Sequence, residues 1–258
     1  MGNLKRQSFG KLLISVLGLA LGSSSGQALA DEVAVAVAAN VAGPLARIGE
    51  GFAAATGHKL RVSVGATGKF YSQIVAGASF DVLIAADDET PKKLILQGHA
   101  VAGSAFTYAI GQLVLWSAQP GLVDDQGAVL ASSRFSRLAL ANPKLAPYGQ
   151  AAIKVLKSRG LTDAVTPRLV TAESLGQAFQ FVATGNAELG FVALSQLMVP
   201  GKLAGGSHWR VPRSLYGEIR QDAVLLKPGE NKPGAAALLA WLKTAPAQSV
   251  IQAYGYGL

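Results

Sequence analysis

The sequence predicts an α/β protein of two βαβ lobes, each with a mixed, mostly parallel sheet, joined by two crossing strands. Three observations lead there. Short apolar runs rich in Val, Ile and Ala alternate with segments of helical period, the pattern of βαβ units. The runs are nearly continuous rather than alternating, as in parallel strands buried on both faces. Residues 108–117 form a long strand-like stretch with no helix pattern before them, which suits a strand passing between lobes.

The first thirty residues are a separate object. Lys5, Arg6 and Lys11 form a positive region, residues 12–21 an apolar core, and Ala28-Leu29-Ala30 an A-x-A site. This reads as a secretory signal peptide cleaved after Ala30. The apolar core is too short to span a bilayer, so no membrane insertion is expected after cleavage, and the mature chain is expected in the periplasm. No Cys follows the core, which excludes a lipoprotein anchor.

From Asp31 onward each element has its own signal. Residues 33–39 are a buried strand; Val41, Leu45, Ile48 and Phe52 then recur at helical spacing, and Gly57 closes that helix. Residues 60–64 read as a strand, Phe70 and Ile74 mark a helix stopped by Gly77, and 82–85 is a third strand before a helix over 90–97. After the crossing come a strand at 137–141, a helix over 149–159, a short strand at 169–170, a helix over 174–184 and a buried strand at 190–193. Residues 221–226 form a strand that returns the chain to the first lobe, and helices over 234–244 and 247–254 finish it. The expected division is 31–111 with 224–258 for the first lobe and 112–223 for the second, with the ligand cleft between them.

Composition removes several functions. The chain has 258 residues, 50% hydrophobic and 15% charged, enough for two lobes with real cores. Removing Lys5, Arg6 and Lys11 from the 23 Lys+Arg leaves 20 against 15 Asp+Glu, a net charge of +5. That charge is dispersed, with no basic run and no interleaved aromatics, so nucleic acid is not an expected partner. His58, His99 and His208 fall in no zinc pattern, and there is no cysteine, no Gly-x-Ser-x-Gly elbow and no phosphate-binding glycine loop. No enzyme, no cofactor and no directly liganded metal are expected. The acidic cluster Asp87-Asp88-Glu89 follows a strand and reads as support for a helix start.

What recurs is a strand, then a small or polar residue, then a helix start. It occurs at Ala39-Asn40, at Ala66-Thr67-Gly68, at Pro147-Tyr148-Gly149 and at Glu173-Ser174-Leu175-Gly176. A helix start exposes unpaired N–H groups at the positive end of the helix dipole. Several starts converging beyond the carboxyl ends of strands make an anion site without a cationic side chain. Each residue also has a structural reading: Asn40, Thr67 and Ser174 are good N-caps, Ser174 with Gln177 fits a capping box, and Tyr148 and Leu175 suit a core. The joint pattern carries the binding reading.

At these residues the chain resembles the periplasmic molybdate-binding proteins of ABC transporters, which have the type II periplasmic-binding-protein fold. The carrying segments are Val-Ala-Val-Ala-Ala-Asn at 35–40, Val-Gly-Ala-Thr-Gly at 64–68 and Phe-Asp-Val-Leu-Ile-Ala-Ala-Asp at 80–87. Residues 106–117, Ala-Asn-Pro-Lys-Leu-Ala-Pro-Tyr-Gly at 141–149, Glu-Ser-Leu-Gly-Gln at 173–177, Leu-Gly-Phe-Val-Ala-Leu at 189–194 and Tyr254-Gly255-Tyr256 complete the set. The resemblance implies a monomeric carrier that delivers molybdate or tungstate to a membrane permease. It implies ligand contacts from Ala39, Asn40, Thr67, Tyr148 and Leu175, with Ala66, Gly68, Ser174 and Ala193 close by. In it Asn40 offers its side-chain amide and Thr67 its hydroxyl, while Tyr148 and Leu175 offer mainly backbone N–H groups. The chain departs from the best-known members, which have Pro-Ala-Gly at 147–149, Tyr at 193 and Ser at 40 and 67. The alternative is the same fold holding sulfate, a phosphonate or ferric ion, the last through Tyr254, Tyr256 and the histidines. Replacing Asn40 by Ala is expected to weaken oxyanion binding by about 1–3 kcal/mol in calorimetry, the range for a hydrogen bond to a charged group. Lost stability with unchanged affinity identifies Asn40 as a cap alone.

Overall fold

The structure is a computed structural model that describes residues 1–2, 30–199 and 202–258; the expected signal-peptide core lies outside them. The chain opens with β1 (Glu32–Ala38), a 3-10 turn at Ala39–Val41, α1 (Ala42–Thr56), β2 (Lys59–Gly65), α2 (Thr67–Val75), β3 (Val82–Ile84), α3 (Glu89–Leu96) and β4 (Phe106–Gly111). It continues through β5 (Leu113–Ser117), β6 (Leu138–Ala141), α4 (Pro147–Ser158), α5 (Thr162–Val165), β7 (Leu169–Ala172), α6 (Leu175–Ala183), β8 (Leu189–Ala193) and α7 (Leu194–Leu197). A small hairpin of β9 (Met198–Val199) and β10 (Lys202–Leu203) leads to β11 (Ser207–Arg210), β12 (Ile219–Leu225), α8 (Pro233–Leu242) and α9 (Ala245–Ala253).

Two five-stranded sheets carry the fold, in the orders β2-β1-β3-β12-β4 and β11-β5-β8-β6-β7. In the first, β1 pairs in parallel with β2 and β3, and only β12 runs against its neighbours. In the second, β6 pairs in parallel with β7 and β8, and only β5 runs against its neighbours. The two reversed strands are the ones that follow the crossings. The apolar run of β1 is buried from Val33 to Ala38, as its lack of polar alternation requires. Leu45, Ile48 and Phe52 bury the inner face of α1, and Gly57 ends it at φ 76°, donating its N–H to Ala53 O.

The stretch 108–117 is not one strand. It breaks at Gln112, so that β4 lies in the first sheet beside β12 and β5 lies in the second between β8 and β11. Gly111 sits at the break because a Cβ there would overlap the Tyr148 hydroxyl and Gln221 Nε2. On the return, pairing with the first sheet begins at Ile219, opposite Gly111, and the register shifts between Gln221 and Asp222. The segment 194–210, which has no clear period, holds the short elements from α7 to β11.

A buried carboxylate ties the C-terminal segment to the first sheet. Asp81, fully buried, accepts the Ala34 N–H at 2.8 Å and lies 2.9 Å from Lys232 Nζ. In the second sheet Gly149 packs its α-carbon against the end of β6, where a Cβ would overlap the Ala141 carbonyl. Gly149→Ala is therefore expected to lower unfolding free energy by about 1–3 kcal/mol, the cost of overpacking, as read from urea denaturation.

Candidate functional site

Four helix or turn starts, each at the carboxyl end of a strand, meet between the two sheets. β1 delivers Ala39 and Asn40, and β2 delivers Ala66 and Thr67 at the start of α2. β6 leads through 142–146 to Pro147 and Tyr148 of α4, and β7 leads through Ser174 to Leu175 of α6. They meet at a small, half-open cavity of about 10 Å³, lined by Ala38, Ala39, Asn40, Gly65, Ala66, Thr67, Ala86, Ala146, Pro147, Tyr148 and Leu175. Wider grooves flank it. One runs past Lys69, Glu173 and Ser174, the other past Asp87, Asp88, Lys144 and Lys154. The small cavity is where the four starts meet.

Its chemistry is that of hydrogen-bond donors. No Lys, Arg, Asp or Glu lines it. The first amides of a helix have no acceptor within the helix, and here those of Thr67, Tyr148 and Leu175 belong to residues buried at the cavity wall. Pro147 takes the first position of α4, where a missing N–H costs nothing. Thr67 adds a hydroxyl whose oxygen accepts the Ala86 N–H at 3.0 Å, leaving its proton to be donated.

Of the residues expected from the sequence, the structure brings Ala39, Asn40, Ala66, Thr67, Tyr148 and Leu175 to the cavity wall. Three do not line it. Gly68 donates its N–H to Leu145 O at 2.9 Å, closing α2 against the loop before α4. Ser174 caps α6, its hydroxyl accepting the Gln177 N–H at 3.3 Å, while Gln177 Oε1 accepts the Glu173 N–H at 2.7 Å. Ala193 donates its N–H to Gln196 Oε1 at 3.0 Å, and Gln196 in turn donates to Leu175 O at 3.2 Å. The acidic cluster supplies a helix start, with Asp87 accepting the Thr90 N–H at 2.8 Å.

Asn40 is the most heavily bonded residue of the wall. Its side-chain Nδ2 donates to Gln221 Oε1 at 2.8 Å and to the Tyr256 hydroxyl at 2.9 Å, so both amide hydrogens are engaged inside the protein. Its carbonyl accepts from Ser195 Oγ at 2.8 Å and from the Tyr256 hydroxyl at 2.9 Å. Asn40 therefore lines the cavity with its side-chain N–H groups committed to holding the turn in place. Gln221, Tyr108, Ser195 and Tyr256 form this support, a role the sequence reading gave to none of them. The hint available was Tyr256 beside the C-terminus; nothing local marked the others.

Burial raises the hydroxyl pKa of Tyr108, Tyr148 and Tyr256 above the ordinary phenol value, chiefly by desolvation and, for Tyr108 and Tyr148, by the neighbouring Tyr256. All three stay neutral donors and acceptors through the physiological range.

With this geometry in place, the comparisons are direct. Residues 33–257 match the family model of bacterial extracellular solute-binding proteins, and the chain belongs to that family. It is 58% identical over 243 residues to a molybdate-binding protein of Azotobacter vinelandii, covering 94% of this chain and 96% of that one. It is 50% identical over 244 residues to a molybdate-binding protein of Rhodobacter capsulatus, covering 95% and 93%. The solved periplasmic molybdate-binding protein of Azotobacter vinelandii superposes with a TM-score of 0.86 at 46% identity, over 88% of this chain and 99% of that one.

The raised phenols set an alkaline limit. The folded chain holds these protons after the unfolded chain releases them near pH 10, so stability is full below about pH 10 and falls above it. Urea unfolding between pH 7 and 11 is expected to show that decline, and Tyr256→Phe to reduce its slope.

Proposed function

We propose that this bacterial extracellular solute-binding protein captures molybdate, and tungstate with it, for delivery to the permease of an ABC importer. The observation that carries the reading is the cavity itself: N–H groups from four helix or turn starts, one Thr hydroxyl and no carboxylate. Molybdate at neutral pH is a fully deprotonated dianion that only accepts hydrogen bonds, so a wall made of donors suits it. Phosphate carries a proton that asks for an acceptor, and no carboxylate lines the cavity to take it. Sulfate is also an acceptor alone, so the size of the cavity must separate it, and the relatives at 58% and 50% identity place molybdate ahead of it.

Capture requires the two lobes to part and close. The hinge of this reading is the pair of crossings, at Gln112 and ahead of Ile219. The anion's oxygens then join Asn40 and Thr67 of the first lobe to Tyr148 and Leu175 of the second. The binding energy of those bonds favours the closed state, which is the form a permease distinguishes from the open one. The signal peptide ending at Ala30 exports the chain, and the mature protein works as a periplasmic monomer. No helix among the described residues is long and apolar enough to cross a membrane.

Isothermal calorimetry with molybdate, tungstate, sulfate and phosphate tests the reading. Saturable heat with the first two and none with phosphate is expected; no heat from either molybdate or tungstate at micromolar protein overturns it. Thr67→Val keeps the shape and removes the hydroxyl. It is expected to weaken molybdate by about 1.5–3 kcal/mol, the worth of a hydrogen bond to a charged group.

A further inference from the structure

One buried side chain joins the two halves of the cavity without touching it. Gln221, on β12, is fully buried and lines no part of the cavity wall. Its carboxamide oxygen accepts from Asn40 Nδ2 at 2.8 Å and lies 3.0 Å from the Tyr108 hydroxyl, whose single proton also meets Ala85 O at 2.8 Å. Its carboxamide nitrogen donates to the Tyr148 hydroxyl at 3.1 Å. Asn40 stands in the turn after β1 and Tyr148 in the first turn of α4, so one amide grips an element of each sheet. Gln221 also sits at the register shift of β12, and Gly111 leaves the space in which it meets Tyr148.

A carboxamide is the neutral side chain that accepts at one atom and donates at the other. A carboxylate would lose the donor and set a negative charge beneath an anion. A hydrocarbon would leave Asn40 Nδ2 short of one acceptor and cut the link to the Tyr148 hydroxyl, which would keep only the Gln112 backbone N–H. Neither substitute holds both partners.

We propose that Gln221 is a positioning residue for oxyanion capture. It fixes the spacing between the Asn40 turn and the α4 start, so that the N–H groups of both reach one anion. The inference rests on the capture reading above. Gln221 acts only when the two halves meet, so its loss should speed release and leave association nearly unchanged.

The test uses the full mature chain, with Gln221→Met, Tyr148→Phe and the double substitution, titrated with sodium molybdate and followed by stopped flow. Gln221→Met is expected to weaken molybdate about tenfold or more, equivalent to about 1.4 kcal/mol, almost wholly through the dissociation rate. Tyr148→Phe removes one of the two grips and should weaken it several-fold. The double substitution should be no weaker than Gln221→Met alone, because both cut the same link. A folded Gln221→Met protein with wild-type affinity overturns the inference, as does full additivity of the two changes. If Gln221→Met fails to fold, Tyr148→Phe decides: wild-type affinity and release rate overturn it. A wild-type chain that does not bind molybdate sinks the capture reading instead.

Discussion

A helix start buried away from water has N–H groups that no residue of its own helix can satisfy, and leaving one unmet costs on the order of 1–3 kcal/mol. This chain buries four turn or helix starts around one small cavity. The rest of the architecture serves that placement. Parallel strands put every start on the same side of its sheet, and the reversal of β12 and β5 lets the chain cross between sheets without moving the starts apart. Small residues at 38, 39, 66, 86 and 146 let backbone come close to whatever the cavity holds. An anion that accepts from all four starts supplies what the protein leaves open. The dispersed positive charge of the surface has little part in this, since no cationic side chain lines the wall.

The cavity is held by bonds that run between elements of the two sheets. Gly68 of α2 donates to Leu145 ahead of α4. Ser195 of α7 donates to the carbonyl of Asn40. Gln221 of β12 reaches Tyr148 of α4. Each is a buried or close-packed contact with defined donors and acceptors, so each favours one relative placement of the sheets. Thr67 shows the same economy within the first sheet: its hydroxyl oxygen fixes the Ala86 amide and leaves its proton available to donate. On the exposed rim, Lys69 and Glu173 lie 3.4 Å apart with both side chains more than half exposed, a pairing that contributes little to stability.

The βαβ order, the helix starts and most of the wall were legible in local sequence because their causes are local. Continuous apolar runs mark buried strands, and Ala66-Thr67 or Ser174-Leu175 mark helix starts wherever they occur. The stretch expected at 108–117 does pass between the sheets, but as two strands broken at Gln112, where Tyr148 and Gln221 pack against Gly111. The role of Asn40 was legible in part. Its position at a helix start was visible, but the acceptor that occupies its amide is 181 residues away and Tyr256 is 216 away. Gln221 stands between Arg220 and Asp222, so nothing local set it apart, and its partners lie far away in the chain.

The account stands on backbone N–H groups from both sheets closing on one anion. The most direct measurement is a ¹⁵N–¹H correlation spectrum of the assigned mature protein during titration with molybdate. The amides of Asn40, Thr67, Tyr148 and Leu175 should all shift downfield together and saturate at one equivalent. Shifts confined to the starts of one sheet, or centred on lysine and arginine at the surface, would contradict it.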